Sequence, residues 1–339
     1  MKNKNNTSLD IIRIIAALMV LFTHVGQTAG FEFSGSSGVT CFFILSGYLA
    51  CVSLENCKDA KTYYKKRIVK IIPTYYTCLI LLYVINLIIG VFVDKTYLYN
   101  CGYRFIRYFL FLHQLIPSDN YWVWSNSNAL WTMSTFALFY LIAPYIKKYI
   151  NNIYKAIGLT ILFVVIAYFG KEPLATLLAS IPNIDNPVQF VAFNPIINLW
   201  KFFIGFIIYY SFKNNKQLYL LAGCVLAIVA SLVTGKALTR IPVFIYTILI
   251  TLAIIWPNII KNDKIVNFIG KFSKETFTLY LIHPMTILVV SMLLRNTDVV
   301  SNIPVYTICL VACSFIFTHF VYSFLITKFE KKLKKLIFK

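Results

Sequence analysis

The sequence predicts an all-α, polytopic membrane protein of about ten transmembrane helices with both termini in the cytoplasm, and three observations carry that reading. Of 339 residues, 59% are hydrophobic and only 13% are charged. Soluble domains run at roughly 45–50% apolar with about a quarter charged, so one or two soluble domains could not bury this much apolar surface. At roughly 20 residues per crossing, the approximately 200 apolar residues supply on the order of ten spans. The third observation is the placement of charge. There are 32 Lys and Arg against 12 Asp and Glu, a formal net charge of +20. In a soluble chain that balance would point to nucleic acid. Here, with the N-terminus inside, 23 of the 32 cations fall in cytoplasmic segments, 7 fall outside and 2 lie within spans. Short cytoplasmic loops collect such residues. Membrane lipids, whose anionic headgroups some of these lysines meet, are therefore expected partners and nucleic acid is not. Disordered, collagen-like and disulfide-scaffold classes are excluded by the same composition.

The elements follow in order. The first span, 11–29, starts behind a capping box read as Thr7-x-x-Asp10. Lys2 and Lys4 before an apolar run imitate a signal peptide, but Arg13 and His24 interrupt the run and nine more spans follow. The second span, 38–54, carries Ser46-Gly47, which suits close helix approach. A cationic loop over 58–73 precedes the third span, 72–92. The long connection 93–128 contains Tyr103–Leu115, too short to span and read as interfacial or re-entrant, with Trp122, Trp124 and Trp131 beside it as an aromatic belt. Apolar runs then place spans at 129–146, 152–170, 194–212, 217–234 and 241–258. Span 275–294 holds His283-Pro284, where the proline kinks the helix and frees a carbonyl. The last span, 303–327, ends in a tail with six cations from Lys328 onward. The eight cysteines are scattered without a CxxC pair, so neither a metal site nor a disulfide framework is indicated. One integral membrane domain over 1–339, with no appended soluble domain, is expected.

Ionisable groups inside spans are costly and each is a functional candidate. Arg13 and His24 are eleven residues apart, three helical turns plus about 20°, so they share one face with a rise of roughly 16 Å. Asp10 falls near that face one turn earlier. A cation at the cytoplasmic edge with an imidazole at mid-bilayer suits a long anionic donor, and histidine is the usual proton carrier near neutral pH. The alternatives are a snorkelling Arg13 and a His24 that only satisfies buried polar groups. Arg67 and Lys70, three apart in the loop, form a second cationic pair that could serve a polyphosphate or merely mark the inside. His283 either satisfies the kink at Pro284 or lines the acyl path. His113 and His319 have no companions in sequence and receive no role.

These residues carry a resemblance. Leu9-Asp10-x-x-Arg13, His24, Gly38-Val39, Cys41-Phe-Phe-Ile-Leu-Ser-Gly-Tyr48 and Tyr64-Lys-Lys-Arg67-Ile-Val-Lys70-Ile-Ile-Pro73 resemble the acyltransferase-3 family of integral membrane acyltransferases. Leu130-Trp131, Phe139-Tyr140-Leu141, Phe202–Gly205 and Leu279-Tyr280-Leu-Ile-His283-Pro284 continue in family order. The resemblance implies a ten-helix O-acyltransferase of the bacterial plasma membrane. Its donor would be cytoplasmic acyl-CoA, commonly acetyl-CoA, its acceptor a cell-envelope glycan, and no metal would be needed. By the same resemblance His24 is catalytic and Arg13, Arg67 and Lys70 hold the donor, with Asp10, Ser46, Trp131, Tyr140 and His283 in support. Three departures stand out. The family glutamate five residues after the tryptophan is Phe136 here, and the one near the start of the sixth helix is replaced by Lys201. Lys70 stands where the family has arginine, keeping charge but losing the bidentate fork. With no carboxylate inside a span, the acceptor that orients His24 is expected to be Ser46, Tyr140, a carbonyl or an inward-folded Glu32. A transporter or flippase for a lipid-linked oligosaccharide, or an inactive member acting as an assembly partner, is the rival reading.

Overall fold

The first helix starts one residue earlier than its sequence suggests. The computed structural model describes residues 6–117, 129–182, 184, 186–235 and 238–338. In it the side chain of Asn6, not Thr7, accepts from the Leu9 amide at 2.9 Å and caps α1, Thr7–Ala29. Thr7 is buried inside the first turn instead. Gly30, left-handed at φ 88°, ends the helix. α2 spans Gly38–Glu55, and α3 runs Ala60–Phe92 from its Asp59 cap. The cationic loop is thus the first third of a long helix, which puts Arg67 and Lys70 on helical geometry. A short α4, Tyr103–Phe109, precedes α5, Trp131–Tyr149. α6, Ile153–Ala179, and a short α7, Pro187–Phe193, lead into α8, Pro195–Lys213, and α9, Gln217–Thr234. α10, Ile241–Ile255, is followed by α11, Asp263–Leu294, longer than its predicted span by about three turns. The predicted last span divides into α12, Ile303–Val321, a π turn over Tyr322–Ile326, and α13, Thr327–Ile337.

Among the described residues nine segments are long and apolar enough to cross a membrane, and no strand is present. The tenth predicted span is α5, whose Thr132, Ser134 and Thr135 lower its hydropathy. All three are buried, because α5 packs between α2, α3 and α8. A helix enclosed by protein can carry polar groups that a lipid-facing one cannot. The chain is an all-α polytopic membrane protein. α1, α2, α8 and α11 form its centre, while α9 buries only Cys224 and Ser231 and presents the rest outward.

The α2–α8 contact depends on two glycines facing each other. A Cβ on Gly47 would lie 1.9 Å from the Phe202 carbonyl oxygen, and one on Gly205 would lie 2.3 Å from the Ile44 oxygen. Ser46-Gly47 therefore allows the backbone approach anticipated from sequence. Gly47→Ala is expected to cost about 3 kcal/mol or more, since backbone, not a flexible side chain, must yield. The thermal midpoint of the purified variant in detergent would show the loss, and an unchanged midpoint would refute this contact.

The 103–117 segment is fixed by buried polar contacts. Tyr75 donates to the Tyr108 carbonyl at 2.6 Å and Tyr76 to that of Phe109 at 3.1 Å. His113, left without a role by its sequence, stacks on Tyr108 with centroids 4.0 Å apart and donates from Nε2 to the Leu130 carbonyl at 2.9 Å. It thereby ties this segment to the start of α5. Burial pushes the imidazole down from 6.5 to about 3. The sign follows: above pH 6.5 it is neutral folded or unfolded, and as the pH falls only the unfolded chain gains the proton. Stability should therefore drop below that pH, by about 2 kcal/mol at most near pH 5, since each unit is worth about 1.4 kcal/mol. Thermal unfolding at pH 7 and 5 should show a steeper loss in the wild type than in His113→Gln, and equal losses would contradict this.

Candidate functional site

Two cavities open toward opposite ends of the helix bundle, and α1 contributes to both. The first, of about 770 Å³, lies at the end formed by the starts of α1, α3 and α11. Small-molecule sites fall at roughly 300–1,000 Å³. Arg13 donates from Nη1 to Asp10 Oδ1 at 2.7 Å, and Ser273 of α11 donates to the same oxygen at 2.7 Å. Asp10 thus orients the guanidinium one turn away, as Asp–Arg pairs at i,i+3 do. From α3, Arg67 lies between two aromatic faces, 5.1 Å from the Tyr63 centroid and 4.8 Å from that of Tyr140. It donates to the Leu49 carbonyl at 3.1 Å, and its buried Nε has no partner among the described residues. Lys66, Lys70, Lys274 and Lys334 also face the cavity, so six cations stand against the carboxylates of Asp10 and Glu330. Such a surface attracts a polyanion, and stacked arginine is suited to phosphate.

The sequence assigns the six tail cations to topology alone, yet α13 packs on α3, and Glu330, Lys334 and Phe338 line the cavity. The missed signal is the helical spacing of apolar Phe329, Leu333, Leu336 and Ile337 among lysines, an amphipathic pattern.

The second cavity, of about 1450 Å³, lies toward the other end and is lined by the starts of α2, α5, α8 and α10. His24 reaches it from the last third of α1. Its Nδ1–H donates to Gln27 Oε1 at 3.2 Å, which leaves Nε2 as an acceptor. The orienting acceptor is therefore on the same helix, three residues on, and not Ser46, Tyr140 or Glu32. Glu32 is exposed and lines neither cavity. Tyr140 donates to Ser46 at 3.2 Å, and both belong to the first cavity. Asp10, with Arg13 and Ser273, is likewise remote from His24. Behind His24 lies the fully buried His283, centroid to centroid 5.1 Å. Its Nδ1–H donates to the Leu279 carbonyl at 3.0 Å, next to the Tyr280 carbonyl whose helical donor Pro284 lacks. Its Nε2 has no partner among the described residues. Two imidazoles thus sit together with their second nitrogens bare. Trp131 is stacked on Phe193 with centroids 4.2 Å apart and faces this cavity, not lipid as an aromatic belt would. Trp122 and Trp124 lie outside the described residues.

The cavities share one wall residue of α11, Tyr280. It is 2% exposed, donates to Thr132 Oγ1 at 3.2 Å, packs on Phe42 at 5.4 Å and lies 6.2 Å from the His283 ring. Phe136, in place of the family glutamate, lines the first cavity and packs edge-on to Phe43 at 5.3 Å. An aromatic there needs no counter-charge, which fits its apolar surroundings. Sequence reasoning missed Gln27, Tyr280 and Thr132 as site residues, because no intramembrane charge marks them. No group of three or more His, Cys, Asp and Glu capable of holding a metal is gathered among the described residues.

A family model described as an acyltransferase domain matches residues 6–319. "Putative acetyltransferase ORF330" of Acidianus two-tailed virus is 27% identical over 214 residues, 61% of this chain and 58% of that protein. "Nodulation protein 10" of Rhizobium leguminosarum bv. viciae is 25% identical over 224 residues, 60% and 59% of the two chains. The chain thus spans about three-fifths of the length of these relatives. No solved structure matches it.

Proposed function

The chain belongs to the acyltransferase-3 family, and from that premise we propose that it is a membrane-embedded O-acyltransferase. It moves an acyl group, in the simplest case acetyl, from acyl-CoA to a hydroxyl of a cell-surface polysaccharide or its lipid-linked precursor. The observation that carries this reading is the pair of cavities meeting at Tyr280, one cationic and one bearing His24. The cationic cavity takes the donor from the cytoplasm, which puts both termini inside and the second cavity toward the outer side of a bacterial plasma membrane. Arg13, Arg67 and Lys70 hold the phosphates, and the thin arm of the donor passes Tyr280 toward His24. The acceptor enters the second cavity, where the stacked Trp131–Phe193 pair offers a flat apolar face to a sugar ring.

In the transfer, His24 Nε2 accepts the proton of the acceptor hydroxyl as its oxygen bonds to the thioester carbonyl carbon. The C–S bond then breaks, and the sulfur leaves with the proton from His24 as free thiol. The Gln27 contact fixes the tautomer that makes Nε2 a base, and general-base help of this kind contributes about 10²–10⁴-fold. The two cavities supply proximity by holding both substrates at one point. His283 presents a second acceptor nitrogen beside His24, so the proton in this region must come from substrate.

The test is free-thiol release by purified protein in liposomes supplied with acetyl-CoA and envelope glycan extract. Release should require both, and the glycan should gain one acetyl mass. Glycan translocation without thiol release would overturn the proposal in favour of transport.

A further inference from the structure

The second cavity carries a charge pattern that general acyl transfer does not call for. Lys201 sits in a membrane-spanning helix, α8, and lines the cavity with Lys171 and Arg240 against a single carboxylate, Glu172, among the described lining residues. An ammonium at that depth is costly and is ordinarily paired. Here Nζ donates to Asn198 Oδ1 at 2.8 Å and lies 5.9 Å and 5.7 Å from the ring centroids of Phe43 and Trp200. No carboxylate pairs with it among the described residues. An ammonium has three donors, and one neutral acceptor uses one of them. Arg240, 5.7 Å over the Tyr168 ring, and the exposed Lys171 add positive charge to the same space. Three cations thus line this volume against one carboxylate, and none pairs with Lys201 among the described residues. A cleft dominated by one sign of charge raises the local concentration of the opposite charge.

We propose that this cavity is an anion-reading acceptor site. On the acyl-transfer reading of the preceding subsection, the acceptor glycan itself carries a phosphate or carboxylate, which Lys201 holds while a neighbouring hydroxyl reaches His24. Lys201 is the specificity-determining residue and Lys171 and Arg240 assist from the rim. A buried charge-assisted pair of this type contributes more than an exposed one, because little water competes.

Binding can be read without acyl transfer. Purified protein in phosphatidylcholine nanodiscs, with no acyl-CoA present, is titrated with octyl glucoside, octyl glucuronide and octyl glucoside 6-phosphate. At least one anionic probe should bind about tenfold or more tightly than the neutral one, and whichever wins identifies carboxylate or phosphate as the recognised group. The preference should fall below about threefold in Lys201→Gln and survive in Lys201→Arg, which keeps the charge. Equal binding of all three probes by the wild type would overturn the proposal whatever the variants do. An undiminished preference in a folded Lys201→Gln would overturn the assignment to Lys201. If Lys201→Gln fails to fold, Lys171→Gln should weaken the preference in its place, and no change there would count against the site. Adding acetyl-CoA and measuring thiol release tests the enzymatic reading separately. Anion preference without thiol would sink that reading alone, and thiol release without anion preference would sink this inference alone.

Discussion

His24→Ala is expected to lower acyl-transfer turnover by about 10²–10⁴-fold, the range general-base removal produces, and to leave acetyl-CoA binding intact. Position and tautomer carry this expectation. His24 is the ionisable residue of α1 in the second cavity, and its Nδ1–H is committed to Gln27, so Nε2 is the lone pair offered to a hydroxyl. Arg13 lies eleven residues earlier on the same helix, roughly 16 Å away. A drop in turnover with little change in donor KM is therefore expected. His283 could take over part of the role, because its bare Nε2 is in the same region. Its full burial keeps it from substrate, so rescue should be small. Thiol release and transfer to glycan, measured together on the purified variant, would show whether both are lost.

Arg13→Gln is expected to weaken donor binding about ten- to hundredfold, the loss that follows removal of one charged hydrogen-bonding partner worth about 1.5–3 kcal/mol. The guanidinium is held by Asp10, which Ser273 in turn fixes, so its orientation is set before a ligand arrives. Its loss also leaves Asp10 as an unpaired carboxylate in an anion-binding cavity, which adds repulsion. The signature differs from that of His24: donor KM rises and turnover at saturation is largely kept. Acetyl-CoA titration of the variant, followed by thermal shift, would measure it. An unchanged affinity would move the phosphate site to Arg67 and Lys70.

Much of this was legible in the sequence, and the reason is physical. A membrane forces each crossing to be a helix of about fixed length, so apolar runs were enough to place most of the long helices. The spacing of Arg13 and His24 was legible because a helix converts residue number into position. What escaped notice is what sequence spacing cannot encode. The sequence points to Ser46, Tyr140, a carbonyl or Glu32 as the partner of His24, whereas Gln27 lies one turn on in the same helix. His113 and Tyr280 gain meaning only from tertiary neighbours, Leu130 and Thr132, that are distant in the chain. The tail is different: its amphipathic period, Phe329, Leu333, Leu336 and Ile337 among lysines, is legible in the sequence and folds α13 over the cationic cavity.

The central claim is that donor binding and proton transfer occupy two cavities joined at Tyr280. It is tested most directly by measuring acetyl-CoA affinity and thiol release on the same preparations of wild type, Arg13→Gln and His24→Ala. The account predicts that wild type binds and turns over, that Arg13→Gln binds weakly and that His24→Ala binds normally without releasing thiol. Loss of binding in His24→Ala equal to that in Arg13→Gln, or thiol release that survives the loss of His24, would contradict it.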